Sequence, residues 1–246
     1  MSKILGIIPA RFASTRFPGK PLADILGKSM IQRVYEQATK SKRLHRVVVA
    51  TDDERIKNHV KTFAHAIMTK PEHPTGTDRC KEALALLGES YDYVINIQGD
   101  EPMIDPIQID QLADLLDNKV ELATLAKKIN DAGQLENPNV VKVVTNQDGF
   151  AMYFSRSVIP FIRNNSIKEK TQQFDFLKHI GIYGYRSDTL HDITQLKPGI
   201  LERAESLEQL RWLENGYQIK VGLTEIENIG VDTLEDLNKI VEKLKP

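Results

Sequence analysis

A chain of 246 residues with 41% hydrophobic side chains can bury a sizeable core, which excludes an intrinsically disordered protein and fits one large α/β domain or one domain with a modest appendage. Its 33 basic and 34 acidic side chains leave a formal net charge of −1, so no global field draws it to nucleic acid or to an anionic membrane, and a polyanionic ligand must be held locally. The single cysteine, Cys80, excludes an internal disulfide framework and a cysteine-based zinc cluster, and reads as a packing residue in a reducing compartment.

In chain order, the first apolar run, Ile4–Ile8, stops at Pro9 and Arg11, too early for a signal peptide. With no run of ~18 apolar residues anywhere, a cytoplasmic protein is expected. Strand-like runs then alternate with amphipathic stretches at Met30–Ala38, Val47–Ala50, Ile56–Phe63 and Tyr93–Ile97. That alternation predicts a Rossmann-like, mostly parallel sheet flanked by helices. Ser29 with Gln32, and Thr51 with Glu54, have capping-box spacing. Further on, Val140–Val144 and Phe150–Phe154 flank Asn146–Gly149 and predict a hairpin, with His179–Tyr185 as a further strand. Gly216 closes a helix expected over Glu205–Asn215, and Thr233–Leu244 is expected to be the last helix. No linker or repeat divides the chain, so the expectation is a single domain over 1–246 with a smaller β-rich insertion at about 140–190.

The most informative stretch is Ile7 to Leu22, where a strand runs into a loop holding Arg11, Arg16 and Lys20 among small residues that include Ser14 and Gly19. Three fixed cations at the carboxyl end of a first strand suit a triphosphate. A Walker A loop is excluded, because Ser14 and Pro21 stand where that motif needs Gly and Ser/Thr. After the Tyr93–Ile97 strand comes Gln98-Gly-Asp-Glu-Pro102, which puts Asp100 where a ligand for Mg²⁺ would sit. Asp232, just before the last helix, reads either as a second metal ligand or as an N-cap. Arg79 at a helix start could reach a base or a phosphate, and His179 could pair with an acid or serve as a structural imidazole. Spacing alone selects neither Glu208 nor Gln209.

Taken together, Ile8–Leu22, Thr75–Arg79, Gln98–Pro102, Tyr153–Arg156, His179–Tyr185, Leu207–Arg211 and Gly230–Asp232 resemble, in that order, the 3-deoxy-manno-octulosonate cytidylyltransferases, and the likeness covers nearly the whole chain. The resemblance implies a Mg²⁺-dependent enzyme of lipopolysaccharide biosynthesis that takes CTP and the eight-carbon acid sugar Kdo as small-molecule substrates. It implies that Arg11, Ser14 and Lys20 hold the triphosphate, that Lys20 and Arg16 hold the departing pyrophosphate, and that Arg79 and Gln98 help read cytosine and ribose. It further implies metal ligation by Asp100 and Asp232, a sugar pocket containing Arg156, His179, Tyr183, Glu208 and Gln209, and a homodimer. No nucleic acid or membrane partner is expected.

Glu101 stands where enzymes specific for 8-amino-8-deoxy-Kdo tend to carry Gln, which favours ordinary Kdo. CMP-sialic acid synthetases share the arginine loop but not Pro18-Gly-Lys-Pro21. A metal-dependent glycosyltransferase would typically carry Asp-x-Asp where this chain has Gln98 and Asp100, and a nucleotide-sugar sensor would need no paired metal carboxylates.

Overall fold

The computed structural model describes residues 2–13, 17–163, 171 and 173–245. The chain divides into two compact units, one formed by residues 1–114 and 228–246 and the other by residues 115–227.

The first unit is built on strand β1 (Ile4–Ala10), whose near-continuous apolar run is almost entirely buried, as expected of a strand covered on both faces. A small antiparallel ribbon, β2 (Asp24–Ile25) and β3 (Lys28–Ser29), leads into α1 (Met30–Ala38). Ser29 caps α1 by accepting from the Gln32 N–H at 3.2 Å, and Met30, Ile31, Val34 and Ala38 form the buried face. Strand β4 (Arg46–Thr51) follows, then α2 (Glu54–Val60). The cap of α2 is Asp53, not Thr51 as the spacing suggested. Thr51 still belongs to the buried strand, and its hydroxyl accepts from the Asp53 N–H. Next come β5 (Ala66–Met68), α3 (Gly76–Leu87), β6 (Tyr93–Asn96) and α4 (Pro106–Ala113). Within this unit the strands lie in the order β6-β1-β4-β5, all parallel. The chain runs from β1 outward to β4 and β5 and then crosses back to place β6 on the other side of β1, so the loops that follow β1 and β6 flank a topological switch point, where open α/β sheets bind ligands.

The second unit is mixed. Strand β7 (Leu122–Lys128) precedes a short helix, α5 (Ala132–Glu136), and the expected hairpin forms between β8 (Lys142–Thr145) and β9 (Ala151–Ser155). Asn146 closes its turn by accepting from the Phe150 N–H through its side chain. The long strand β10 (Leu177–Arg186) runs antiparallel to β7 and β8, with a register shift between Ile180 and Tyr183. Then come α6 (Ser187–Ile193), α7 (Ile200–Glu205), α8 (Gln209–Glu214) and β11 (Ile219–Leu223), which pairs parallel with β7. The single helix expected over Glu205–Asn215 is therefore corrected to two. Ser206 takes a left-handed conformation (φ 53°) that ends one helix before the next begins. Gly216 also has positive φ, consistent with a helix stop.

The chain returns to the first unit through α9 (Leu234–Leu244), whose Leu237 and Ile240 pack with Ile25, Met30 and Val231.

Candidate active site

The loop after β1 is closed by a hydrogen bond from the Gly19 N–H to the Phe12 carbonyl at 2.9 Å. Gly19 has φ 71°, and a Cβ there would sit 3.2 Å from the Phe12 ring, so both backbone and space call for glycine. The turn delivers Lys20, which opens a short 3₁₀ segment with Pro21. The loop after β6 crosses the end of β1 so closely that a Cβ on Gly99 would lie 2.6 Å from the Pro9 carbonyl oxygen. Glycine at 99 thus brings the next residue, Asp100, beside the first loop.

Asp100 and Asp232 converge on Lys20. The Lys20 ammonium donates to Asp100 Oδ2 at 2.8 Å and to the Val231 carbonyl at 2.8 Å, and lies 3.6 Å from Asp232 Oδ1. A backbone hydrogen bond from the Val231 N–H to the Asp100 carbonyl, 2.9 Å, fastens the two acidic loops together. Asp232 does not cap α9. That duty falls to Thr233, whose hydroxyl accepts from the Asp236 N–H at 3.2 Å while Asp236 Oδ2 accepts from the Thr233 N–H at 3.1 Å. Two carboxylates around one ammonium leave this locus with an excess negative charge. As a donor set it fits Mg²⁺, which takes one or two carboxylates and completes its shell with phosphate oxygens and water. Among the described residues no group of three or more His, Cys, Asp or Glu side chains is placed to hold a metal ion by itself.

Arg11 is held by a hydrogen bond from its Nη2 to the His73 carbonyl at 2.6 Å, and burial, with Arg79 nearby, lowers its pKa from the usual guanidinium range. Arg79 is fully buried and its guanidinium faces inward, Nη2 to Asp52 Oδ2 at 2.8 Å and Nη1 to Thr69 Oγ1 at 2.5 Å. In this arrangement it touches protein groups rather than a surface where a base could lie, and its Nε has no hydrogen-bond partner. Gln98 lies in the loop after β6, just before Gly99 and Asp100. Ser14 and Arg16 lie outside the described residues, as does most of the segment after Arg163.

In the second unit, His179 and Tyr183 stand on β10 with ring centroids 5.3 Å apart. The His179 Nε2 is 3.1 Å from the Thr124 hydroxyl, which in turn donates to the Ile182 carbonyl at 2.8 Å. Burial pushes the His179 pKa down to about 3, so the imidazole is neutral at physiological pH. Tyr183 is buried, its phenol pKa is raised well above the ordinary value by burial, with smaller contributions from Tyr185 and Glu208, and its hydroxyl has no hydrogen-bond partner. Trp212 on α8 packs edge-on against Tyr183 at 5.1 Å, and its Nε1 is likewise buried and unpartnered. Two buried donors without acceptors on touching rings are costly unless a ligand or water completes them. Glu208 is the N-cap of α8 and the buried Gln209 its first residue, three before Trp212. Trp212 was not picked out from sequence. It is the only tryptophan in the chain and shares a helical face with Gln209, which was the available signal.

Arg156 lies at the end of β9, and its guanidinium is engaged with main chain: Nε to the Glu205 carbonyl at 2.7 Å, Nη1 to Pro138 O at 3.0 Å and Nη2 to Ser206 O at 3.3 Å.

A cytidylyltransferase family model matches residues 5–226. The 3-deoxy-manno-octulosonate cytidylyltransferase of Parabacteroides distasonis is 56% identical over 245 residues, covering 97% of each chain. That of Cytophaga hutchinsonii is 55% identical over 239 residues and covers 96% of each. The chain belongs to the 3-deoxy-manno-octulosonate cytidylyltransferase family. A solved CMP:2-keto-3-deoxy-manno-octonic acid synthetase complexed with CTP superposes with a TM-score of 0.91 at 43% identity, covering 99% of this chain and 98% of the other. A 4-diphosphocytidyl-2C-methyl-D-erythritol synthase from Anaerococcus prevotii, at 15% identity and a TM-score of 0.65, shares the fold alone. No described helix is long and apolar enough to cross a membrane.

Proposed function

We propose that this chain transfers CMP from CTP to Kdo, giving CMP-Kdo and pyrophosphate, with Mg²⁺ as its cofactor. The observation that carries this reading is the convergence of Asp100 and Asp232 on Lys20 beside the first-strand loop, in a chain of this family. The anomeric hydroxyl of the sugar attacks the α-phosphorus of CTP directly, without a covalent enzyme intermediate, so catalysis consists of positioning and charge neutralisation. Asp100 and Asp232 are the residues that hold the metal. Bound there, Mg²⁺ supplies Lewis-acid chemistry and neutralises charge on the phosphate oxygens. Lys20 turns from the two carboxylates toward the β- and γ-phosphates and stabilises the pyrophosphate as it leaves. Arg11, with Ser14 and Arg16, completes the cationic loop around the triphosphate, while Gln98 and Arg79 serve the nucleoside, Arg79 by bracing the protein around it.

His179, Tyr183, Glu208 and Gln209 receive the sugar, with the unpartnered phenol of Tyr183 awaiting a polar group. We place the enzyme in the cytoplasm as a homodimer that supplies activated Kdo for lipopolysaccharide. The test is pyrophosphate release with CTP, Kdo and Mg²⁺. Equimolar pyrophosphate and CMP-Kdo are expected. CTP binding without release would instead mark a nucleotide-sugar sensor.

A further inference from the structure

Lys142 and Glu205 lie outside every motif named above, yet they anchor one polar network in the second unit. Lys142, on β8, is fully buried, and its ammonium donates to the carbonyls of Val140 at 2.7 Å, Asn137 at 3.1 Å and Arg156 at 2.5 Å. Three carbonyls match the three donors of an ammonium, which offsets the cost of burying the charge. Burial lowers the Lys142 pKa and the nearby Glu205 opposes that shift. Glu205, the last residue of α7, accepts from the Ser155 hydroxyl at 2.6 Å and from the Arg156 N–H at 2.9 Å. The Arg156 side chain returns the contact by donating to the Glu205 and Ser206 carbonyls, the exposed main-chain end of that helix.

The turn held in this way is strained. Ser206 has φ 53°, a conformation that L side chains adopt only where their surroundings over-determine it. On the far side, Arg211 clamps the same corner by a bidentate pair with Glu202, at 2.7 and 2.5 Å. Leu207, Glu208 and Gln209 follow immediately. The direction in which Glu208 and Gln209 leave the turn is therefore set by contacts from the hairpin end.

We propose that Lys142 and Glu205 are positioning residues for sugar recognition, locking the Glu205–Ser206 turn so that Glu208 and Gln209 meet Kdo in a fixed geometry. The proposal rests on the reading that Glu208 and Gln209 face the sugar. The chain carries its own reporter, because its sole tryptophan, Trp212, sits on α8 directly beyond the turn.

The test compares Glu205→Ala, Glu205→Gln and Lys142→Met with the wild type, reading KM for each substrate and the emission of Trp212 in the free protein. In Glu205→Ala the KM for Kdo should rise on the order of tenfold while that for CTP stays within about twofold, since misplacement by ~1 Å is enough to cause such losses. Trp212 emission should shift to the red. Glu205→Gln should recover most of both, because its amide oxygen can accept from the Arg156 N–H while its amide group donates to Ser155 Oγ. Lys142→Met should match Glu205→Ala. If that variant fails to fold, the Glu205 pair decides. Equal changes in both KM values, an unchanged KM for Kdo, or Trp212 emission unmoved in Glu205→Ala would each overturn the proposal. A wild type inactive with Kdo would instead refute the proposed function, and Trp212 emission in the free variants would still decide the positioning role.

Discussion

Replacing Lys20 with Met should move two measurements in opposite directions. The ammonium touches Asp100 at 2.8 Å and lies 3.6 Å from Asp232, so its loss leaves two carboxylates facing one another and the Val231 carbonyl without its donor. At contact range and near-surface dielectric, each unit charge is worth about 4 kcal/mol. The Asp232 side chain is 52% exposed and Asp100 33%, so solvent screening reduces that figure severalfold. A net gain of ~1.5–3 kcal/mol in attraction for a divalent ion corresponds to roughly 10- to 100-fold tighter binding of Mg²⁺ or Mn²⁺ in the absence of nucleotide. Turnover should nevertheless fall on the order of 10²-fold, because the cation opposite the leaving pyrophosphate is gone. Titration calorimetry with the metal alone, and pyrophosphate release under saturating substrates, separate the two effects. Unchanged or weaker metal binding would refute the assignment of the two carboxylates to the ion. Near-normal turnover would remove Lys20 from the reaction.

Asp232→Asn should lose more than ~100-fold in turnover with its thermal transition unmoved, whereas Thr233→Ala should lose ~1 kcal/mol of stability at near-normal turnover, since Thr233 holds the cap. Calorimetry and kinetics on the pair distinguish ligand from cap, and a destabilised Asp232→Asn with normal turnover would reverse the assignment. His179 titrates at about 3 when folded against 6.5 in its unperturbed state, so the unfolded chain takes up the proton first and stability is lost as pH falls below about 6.5. Urea titrations at pH 7 and pH 5 should show at most about 2 kcal/mol less stability at the lower pH from this residue, a loss that His179→Phe should not show. Glu101 accepts from the Asn228 side chain at 2.9 Å, and glutamine keeps an acceptor there, so Glu101→Gln should fold normally. In competition under limiting CTP, Kdo should beat its 8-amino analogue on kcat/KM, with the gap narrowed by that substitution. A wild-type preference for the amino sugar would reassign the substrate.

What was legible in the chain followed from how each signal is written. The apolar runs at Ile4–Ile8, Val47–Ala50 and Tyr93–Ile97 announce parallel strands because both faces of such a sheet are buried, and Asp100 could be placed from the strand end before it. Asp232 could not be told from a cap, since the decisive fact is that Thr233, one residue on, supplies the hydroxyl. The helix expected from Glu205 to Asn215 reads as continuous because nothing at Ser206 warns of positive φ; serine there is held by the Arg156 guanidinium, which donates to the Glu205 and Ser206 carbonyls. Arg79 and Arg156 show the same blindness. A guanidinium in a motif looks like a hand held out to a ligand, yet both are occupied by protein oxygens brought from far along the chain. Local sequence records which groups carry charge, but whether a charge faces a substrate or braces the residue that does is settled by long-range partners, and Lys142, in no motif at all, is the case where that distinction yields a prediction.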